Sequence, residues 1–179
     1  MEKLNQLISL CHGQHVYIQT HNFPDPDAIA SAYGLQQLLA LYGVASQLCY
    51  DGRIDRLNAS KMLDTFQIRM SPYEELSSHM KETDPILYVD TQKLAGNTTD
   101  FIGDEVACID HHPTFVPMEY HYQDIRMVGA CASLIAEYYV RSGNTPDRNV
   151  ATALLYGIKM DTLQFTRGVT PLDIEMFGF

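Results

Sequence analysis

The sequence predicts an α/β domain with a mostly parallel sheet flanked by helices on both faces. Short uncharged runs of β-branched, aromatic and aliphatic residues alternate along the chain with longer segments whose apolar residues recur at helical spacing. Several of the uncharged runs end in an aspartate or a histidine. Alternation of this kind favours parallel strands joined by crossover helices, in which polar side chains at the strand ends form a binding edge.

In the first half of the chain, residues 2–12 predict a helix and residues 16–20 a buried strand. The next helix begins near Asp27, and Gly43 serves as its C-terminal cap before a second strand over residues 44–50. The polar segment that follows predicts two short helices, over residues 53–83, around a loop at Ser71 and Pro72.

The second half predicts two apolar strands, over residues 85–90 and 105–110, and an edge strand within residues 120–128. Helical spacing then predicts one helix that begins at Gly129 and another that runs from Pro146 to Asp161. Together these elements indicate a Rossmann-like sheet.

Composition limits the function. A chain of 179 residues, 46% hydrophobic and 19% charged, is long enough for one well-cored domain. The net charge of −10 argues against a groove for long nucleic acids, which would be basic. It leaves room for a small phosphorylated substrate, because bound divalent metals invert the local field.

Four cysteines are scattered without the close spacing of a zinc site or a disulfide framework, and most lie in apolar segments; they are Cys11, Cys49, Cys108 and Cys131. We therefore expect free thiols in a reducing compartment. The sequence shows no N-terminal apolar signal segment and no run of about 18 apolar residues. It predicts a cytoplasmic protein that does not associate with a membrane.

The candidate site begins in a loop with two prolines, where His21, Asp25 and Asp27 follow the first strand. Nitrogen and oxygen ligands this close suit a divalent metal, although an acidic turn with a helix N-cap at Asp27 is the alternative. Two later strands end in the same chemistry, at Asp90 and at 110–112. Because parallel strands end at one edge and aspartate is a poor strand residue, this convergence favours the metal site.

Four motifs, in this order, resemble the DHH phosphoesterase superfamily, in particular the catalytic domain of bacterial nano-RNases, pAp phosphatases and RecJ-like proteins. They are His21-x-x-x-Asp25-x-Asp27-Ala28, Asp90 within Tyr-Val-Asp-Thr, Asp110-His111-His112-Pro113, and the segment from Tyr156 through Asp161 and Thr162 to Phe165. The ligand set of the family is complete over residues 21–165.

The resemblance implies two Mn²⁺ ions, with Mg²⁺ or Co²⁺ as substitutes, bridged by Asp90. One ion would be held by His21, Asp25 and Asp90, and the other by Asp27, Asp90, His111 and Asp161. His112 would face the scissile phosphate as a hydrogen-bond donor or proton source. Asp110 would orient a ligand histidine rather than bind metal.

The implied activity is hydrolysis of phosphate esters of small nucleotides by metal-activated water. Candidate substrates are short 5′-phosphorylated oligonucleotides, 3′-phosphoadenosine 5′-phosphate (pAp) and linear or cyclic dinucleotides. Two alternatives remain. One is an inorganic pyrophosphatase with the same metal centre, and the other is a nucleotide-sensing domain with little activity.

Family members usually carry a second, C-terminal domain that closes over the site. The sequence predicts the catalytic domain over residues 1–165 and the start of a linker over residues 166–179, with the second domain absent. We therefore expect low activity of this chain alone. Apolar surface left exposed would favour a homodimer.

Two further features leave two interpretations each. The small residues Gly129, Ala130 and Cys131 would either offer backbone N–H groups to a phosphate or allow close packing. Arg167 would either contact a phosphate or lie in solvent.

Overall fold

The computed structural model describes residues 2–179, which form one six-stranded sheet and seven helices. The strands are β1 (His15–Gln19), β2 (Ala45–Tyr50), β3 (Met70–Pro72), β4 (Pro85–Val89), β5 (Asp104–Asp110) and β6 (Tyr122–Ile125). The helices are α1 (Glu2–Cys11), α2 (Pro26–Leu41), α3 (Leu57–Phe66), α4 (Tyr73–Leu76), α5 (Cys131–Ser142), α6 (Arg148–Asp161) and α7 (Pro171–Gly178).

The sheet has the strand order β3-β2-β1-β4-β5-β6, and every neighbouring pair is parallel. The chain builds the sheet outward from β1 in one direction through β2 and β3, and then in the other through β4, β5 and β6. The strand order therefore reverses between β1 and β4, where parallel α/β sheets bind ligands at the carboxyl ends of the strands. The predicted α/β fold class is confirmed.

The two faces of the sheet are covered unequally. Alternate strand residues such as Val16 and Ile18 face the main core, which helices α1, α2, α5 and α6 complete. The intervening residues, such as Tyr17 and Tyr88, face a smaller core completed by Leu76 of α4 and by connecting segments. The side that carries α2, α5 and α6 thus holds the larger core.

One predicted loop is a strand. Residues 70–72 form β3, which extends the sheet by pairing Met70 with Leu48 and Pro72 with Tyr50. The prediction of a loop here was wrong because three residues that include a proline show no period-2 pattern. A proline is tolerated at this place because β3 is an edge strand, where one row of backbone groups has no neighbour to bond.

Helix α7 lies within the segment predicted as the start of a linker. It packs against α5 and α6, and its Asp173 and Met176 are buried. The predicted boundary at residue 165 stays a prediction. Within residues 2–179, none of the helices combines the length and hydropathy that a membrane crossing requires. A cytoplasmic location likewise stays a prediction.

Candidate metal centre

The start of α2 places two of the predicted ligands differently. Asp25 is the N-cap, and its Oδ1 accepts hydrogen bonds from the backbone N–H groups of Asp27 at 2.9 Å and Ala28 at 3.1 Å, with Pro26 at the first helical position. The alternative N-cap at Asp27 was therefore wrong. Asp27 lies two residues after the N-cap Asp25, inside the first turn of α2, and is buried.

Asp27 caps a different helix. Its Oδ2 accepts from the N–H of Cys131 at 2.7 Å, and its Oδ1 accepts from the N–H of Ala132 at 3.0 Å. These groups belong to the first turn of α5, whose own N-cap residue, Ala130, has no side chain able to accept them. The carboxylate is thus fixed in orientation by a helix N-terminus that also favours its negative charge.

Asp90 follows β4 directly and has a positive φ of 60°. A non-glycine residue in this left-handed region carries strain of about 1–2 kcal/mol. The turn is held by a 2.9 Å hydrogen bond from the Asp90 N–H to the Ile109 carbonyl on β5. It directs the buried Asp90 carboxylate to the middle of the sheet edge, between two histidines.

The structure brings the six predicted ligands together in two groups, His21 with Asp25 and Asp90, and Asp27 with His111 and Asp161. A third group, Asp90 with His111 and His112, links the first two. In the first group, the His21 Nε2 atom lies 3.6 Å from Asp90 Oδ2 and 4.0 Å from Asp25 Oδ1. In the second group, the His111 Nε2 atom lies 3.3 Å from Asp90 Oδ1 and faces two further carboxylates, Asp161 Oδ2 at 3.4 Å and Asp27 Oδ2 at 3.8 Å.

These spacings fit cations. Most of these separations are too long for hydrogen bonds, whereas atoms about 2.1 Å from a shared octahedral ion lie about 3 Å apart. Asp90 Oδ1 is buried and has no hydrogen-bond partner, which is costly for a carboxylate oxygen unless a cation binds it. Mixed imidazole and carboxylate donors suit a transition metal such as manganese.

Both histidines point the same nitrogen at the carboxylates. His111 Nδ1 lies 3.0 Å from the carbonyl of Val128, and His21 Nδ1 lies 2.8 Å from the carbonyl of Asn22. A carbonyl only accepts, so each Nδ1 carries the proton. In the neutral ring, Nε2 is then the free ligand atom that faces the site.

Burial and crowding set the charges of the site. Burial raises the pKa of Asp27, of Asp90 and of Asp161 above the usual range, and the nearby carboxylates add to this for Asp27. Burial lowers the pKa of His111, but Asp90 and Asp27 outweigh it and raise that pKa to about 10. The site thus holds more negative charge than its own residues neutralise.

Asp110 and His112 form a pair beside these groups. Asp110 Oδ1 lies 2.9 Å from His112 Nδ1, and Oδ2 accepts a 2.7 Å hydrogen bond from Gln92 Nε2. Asp110 therefore orients the ring of His112, and its Oδ1 also accepts a 2.8 Å hydrogen bond from the N–H of His111. That Asp110 orients a metal-binding histidine stays a prediction. Burial raises the pKa of Asp110, but His112, Gln92 and His111 together outweigh it and lower that pKa below its usual value. The hydrogen bond to Asp110 raises the pKa of His112.

Gln92 is a site residue that the sequence did not indicate. It holds Asp110 and also donates a 3.0 Å hydrogen bond to the His112 carbonyl. Its only signal is its position two residues after Asp90, within a polar loop where a glutamine is unremarkable.

The structure bears on both open features. The N–H groups of Gly129 and Cys131 already donate to Asp173 and Asp27, which favours close packing over phosphate binding. A Cβ at Gly129 would lie 2.7 Å from Asp173 Oδ2. Arg167 is 62% exposed, but it donates to the carbonyl of Asp161 at 2.7 Å and to its Oδ1 at 3.3 Å.

Comparison with known proteins identifies the family. The family described as "DHH family, N-terminal domain" matches residues 15–158. An uncharacterized protein of Methanocaldococcus jannaschii is 35% identical over 163 residues, which cover 90% of this chain and 33% of that protein. A probable manganese-dependent inorganic pyrophosphatase of Streptococcus suis is 29% identical over 147 residues, which cover 80% of this chain and 47% of that protein.

Among solved structures, a proposed family II inorganic pyrophosphatase of Methanococcus jannaschii superposes with a TM-score of 0.65 at 26% identity. The superposition covers 91% of this chain and 54% of that one. The chain thus spans about a third to a half of the length of these relatives. The chain belongs to the DHH family, and residues 15–158 match its N-terminal domain.

Proposed function

We propose that this chain forms the catalytic part of a manganese-dependent phosphoesterase that hydrolyses phosphate esters of small nucleotides. The observation that carries the proposal is the pair of ligand groups that the contact between Asp90 and His111 links on the sheet edge. Membership of the DHH family supports it, as does a relative named for its dependence on manganese.

The ligand assignment follows the two groups. His21, Asp25 and Asp90 would hold one Mn²⁺, and the second group, joined by Asp90, would hold the other; its members are Asp27, His111 and Asp161. When bound, these cations supply Lewis acidity, which stabilises charge on the phosphate and lowers the pKa of the attacking water. Mg²⁺ or Co²⁺ would bind to the same ligands as substitutes for Mn²⁺.

His112 is the proton donor in this proposal. Its Nδ1 is engaged by Asp110, so Nε2 is the nitrogen left for a substrate. Asp110 raises the pKa of His112, which favours the protonated ring, and a protonated ring can give a proton to the leaving oxygen. Asp110 stays ionised and holds the ring, while Gln92 fixes Asp110 from behind.

A cavity beside His112 favours a nucleotide. It has a volume of about 170 Å³ and lies between the loop of residues 90–97 and the segment that contains Pro113, Phe115 and Val116. Phe115 is 88% exposed at this cavity, where an aromatic ring offers a stacking surface for a base. We infer that a small nucleotide would place its phosphate at the cations and its base toward Phe115.

The basic side chains near the site already pair with carboxylates of the chain. Arg56 lies 3.9 Å from Asp25, Arg167 donates to Asp161, and Lys93 lies 2.6 Å from Glu105. A compact anion such as pyrophosphate needs several basic side chains around it. The pairing therefore favours a phosphate ester with a larger organic part.

Inorganic pyrophosphatase is the second candidate. It is favoured by the names of curated relatives that are 27–29% identical to this chain. The same ligand groups would serve a phosphoanhydride, so the substrate must be determined by experiment.

The test supplies the chain with Mn²⁺ and, in separate reactions, a 5′-phosphorylated dinucleotide, pAp or pyrophosphate, and resolves the products by chromatography. We expect release of mononucleotide or of phosphate from a nucleotide substrate, and loss of this activity in Asp161→Asn. Asp64→Asn, an exposed carboxylate on α3, is the matched control. Faster turnover of pyrophosphate would establish the second candidate. Turnover is expected to be slow, because the chain matches only a third to a half of the length of its relatives. Manganese binding with no detectable turnover would contradict both candidates and leave a nucleotide-sensing domain.

Asp110→Asn separates proton donation from metal binding. The variant loses the negative charge of Asp110, which holds His112 in place and raises the pKa of His112. The ligand groups stay in place. We expect kcat to fall about 100-fold with unchanged Mn²⁺ affinity, measured by turnover and by titration calorimetry. A parallel loss of Mn²⁺ affinity would place Asp110 among the residues that hold the cations.

A further inference from the structure

We propose that Asp173, on α7, is a positioning residue for the metal centre and acts through residues 128–133, here called the ligand-holding segment. The inference rests on the proposed function, because it assigns Asp173 a role in holding two of the proposed metal ligands. Neither the sequence motifs nor the ligand groups include Asp173.

The ligand-holding segment fixes one ligand from each of two distant parts of the chain. At one end, the carbonyl of Val128 accepts the hydrogen bond from His111 Nδ1 and so turns Nε2 toward the carboxylates. Near the other end, the N–H groups of Cys131 and Ala132 hold both oxygens of Asp27. A shift of this segment would move His111 and Asp27 together.

Asp173 holds the segment at two places. Its Oδ2 accepts a 2.9 Å hydrogen bond from the N–H of Gly129, and its Oδ1 accepts a 2.6 Å hydrogen bond from Ser133 Oγ. These contacts lie on either side of the groups that bind Asp27. The carboxylate therefore ties α7 to the part of the chain that positions His111 and Asp27.

Asp173 makes more hydrogen bonds than a helix cap requires. Thr170 and Asp173 do form a capping box at the start of α7, in which the N–H and the Oγ1 of Thr170 each donate to Asp173 Oδ2 at 2.7 Å. A capping box needs no contact beyond its own helix. This carboxylate is fully buried, and two of its four hydrogen bonds go to the ligand-holding segment.

Packing leaves the contact little freedom. A Cβ at Gly129 would lie 2.7 Å from Asp173 Oδ2 and 2.8 Å from Thr162 Cγ2, so only glycine fits between them. Thr162 is buried and follows the proposed ligand Asp161 directly. Helix α7, the ligand-holding segment and the end of α6 thus meet at one point, with no room for independent movement.

Two single hydroxyl deletions separate positioning from capping. Ser133→Ala removes the donor on the side of the ligand-holding segment, whereas Thr170→Val removes a donor to the same carboxylate on the side of α7. Mn²⁺ affinity is measured by titration calorimetry, and the melting temperature is measured without metal. Asp173→Ala removes both contacts. Asp173→Asn keeps the shape and one of the two acceptor oxygens, and its amide N–H can donate to Ser133 Oγ, so it is the conservative rescue.

We expect Ser133→Ala to weaken Mn²⁺ binding about tenfold, as loss of an outer partner of a metal ligand does. Thr170→Val should lower the melting temperature by about 2–4 °C and change Mn²⁺ affinity less than twofold. Asp173→Asn should recover most of the affinity that Asp173→Ala loses. If Ser133→Ala folds and binds Mn²⁺ as the unmodified chain does, Asp173 is a helix cap and the inference is wrong.

A second readout does not depend on the metal. The proton on His111 Nδ1, bonded to Val128, gives a resonance in the metal-free protein that reports the position of the ligand-holding segment. We expect Ser133→Ala to shift this resonance and Thr170→Val to leave it. An unchanged resonance in Ser133→Ala would overturn the inference, whereas failure of the unmodified chain to bind Mn²⁺ would overturn the proposed function instead.

Discussion

Helix α5 touches two clusters of charge that are built in opposite ways. At its N-terminus lies the proposed metal centre, where carboxylates and imidazoles face one another across gaps of 3.3–4.0 Å. Farther along the same helix lies the arginine cluster, which consists of Asp124, Arg126, Glu137 and Arg141. Its ion pairs close to 2.5–2.8 Å, and Tyr138 adds a 2.8 Å hydrogen bond to Asp124.

The pKa values of the carboxylates also differ between the two clusters. Arg126 and Arg141 outweigh the effect of burial and lower the pKa of Glu137, whereas burial raises the pKa of Asp90 and of Asp161. In the arginine cluster each buried carboxylate pairs with an arginine. In the described part of the chain, Asp27 and Asp90 face histidines and no arginine or lysine, as expected of the proposed site, which would take cations from solution.

Asp90→Asn tests the proposed metal centre, where the largest effect is expected. Asp90 belongs to one ligand group and contacts His111 of the other, so its neutral amide should impair both. We expect activity to fall by about 1,000-fold or more, and the rise in melting temperature on adding Mn²⁺ to disappear. Turnover assays and thermal melts with and without Mn²⁺ measure this, with Asp64→Asn as the control. A variant that keeps the Mn²⁺-dependent rise would show that Asp90 is not a shared ligand.

Glu137→Gln tests the arginine cluster. The change removes a buried carboxylate that pairs with two arginines; Arg141 loses its charged partner, and Arg126 keeps only Asp124. We expect the free energy of unfolding to fall by about 2–3 kcal/mol, by the same amount with and without Mn²⁺. Urea unfolding measures both values. A loss that depended on Mn²⁺ would mean that the two clusters are coupled through α5 and would break the comparison.

The sequence predicted the residues of the metal centre better than the residues that hold them in place. Asp90, Asp110 and His111 end or follow apolar strands, and parallel topology brings such ends to one edge whatever the details of packing. The prediction that they gather was therefore possible from local pattern alone. Their roles as metal ligands stay predictions.

The supports depend on contacts between distant residues. Asp173 lies 44 residues from Gly129, and Asp27 lies 104 residues from Cys131, so no local periodicity marks either contact. Arg126 and Glu137 likewise pair across the β6–α5 connection, and each alone resembles an ordinary surface charge in the sequence. Such partners are fixed by the packing of α5 and α7, which follows from the whole fold.

Changes of pH should separate the two clusters. Mn²⁺ must displace the proton that the raised pKa of about 10 keeps on His111, so affinity should rise about tenfold per pH unit below that value. Toward acid, the raised pKa of Asp90 adds to the loss. The pKa of Glu137 is lowered rather than raised, so its stabilisation persists to a lower pH. Its stabilisation is present above the ordinary value of 4.5 and is lost as the pH falls through the lower folded value.

The measurement compares Mn²⁺-dependent melting of the unmodified chain with the stability difference caused by Glu137→Gln, from pH 8 to pH 4. We expect the first quantity to shrink between pH 7.5 and 5, while the second stays constant and declines only below about pH 4.5. If both declined together, the metal centre would not carry the excess of negative charge that distinguishes it from the arginine cluster.

The smallest effect concerns the arginine at the rim of the metal centre. Arg167 and Arg141 are similarly exposed, at 62% and 58%, and each pairs with a carboxylate. Because Arg167 repels a cation that Asp161 attracts, Arg167→Gln should tighten Mn²⁺ binding by about two- to threefold at low salt, and less at high salt. Arg141→Gln removes a partner that Glu137 needs, and it should instead cost up to about 1 kcal/mol of stability without altering Mn²⁺ binding. Calorimetric titration at two salt concentrations decides between them. Weaker Mn²⁺ binding in Arg167→Gln would mean that Arg167 orients Asp161 more than it repels the cation, and the metal centre would then depend on an arginine of its own, as the other cluster does.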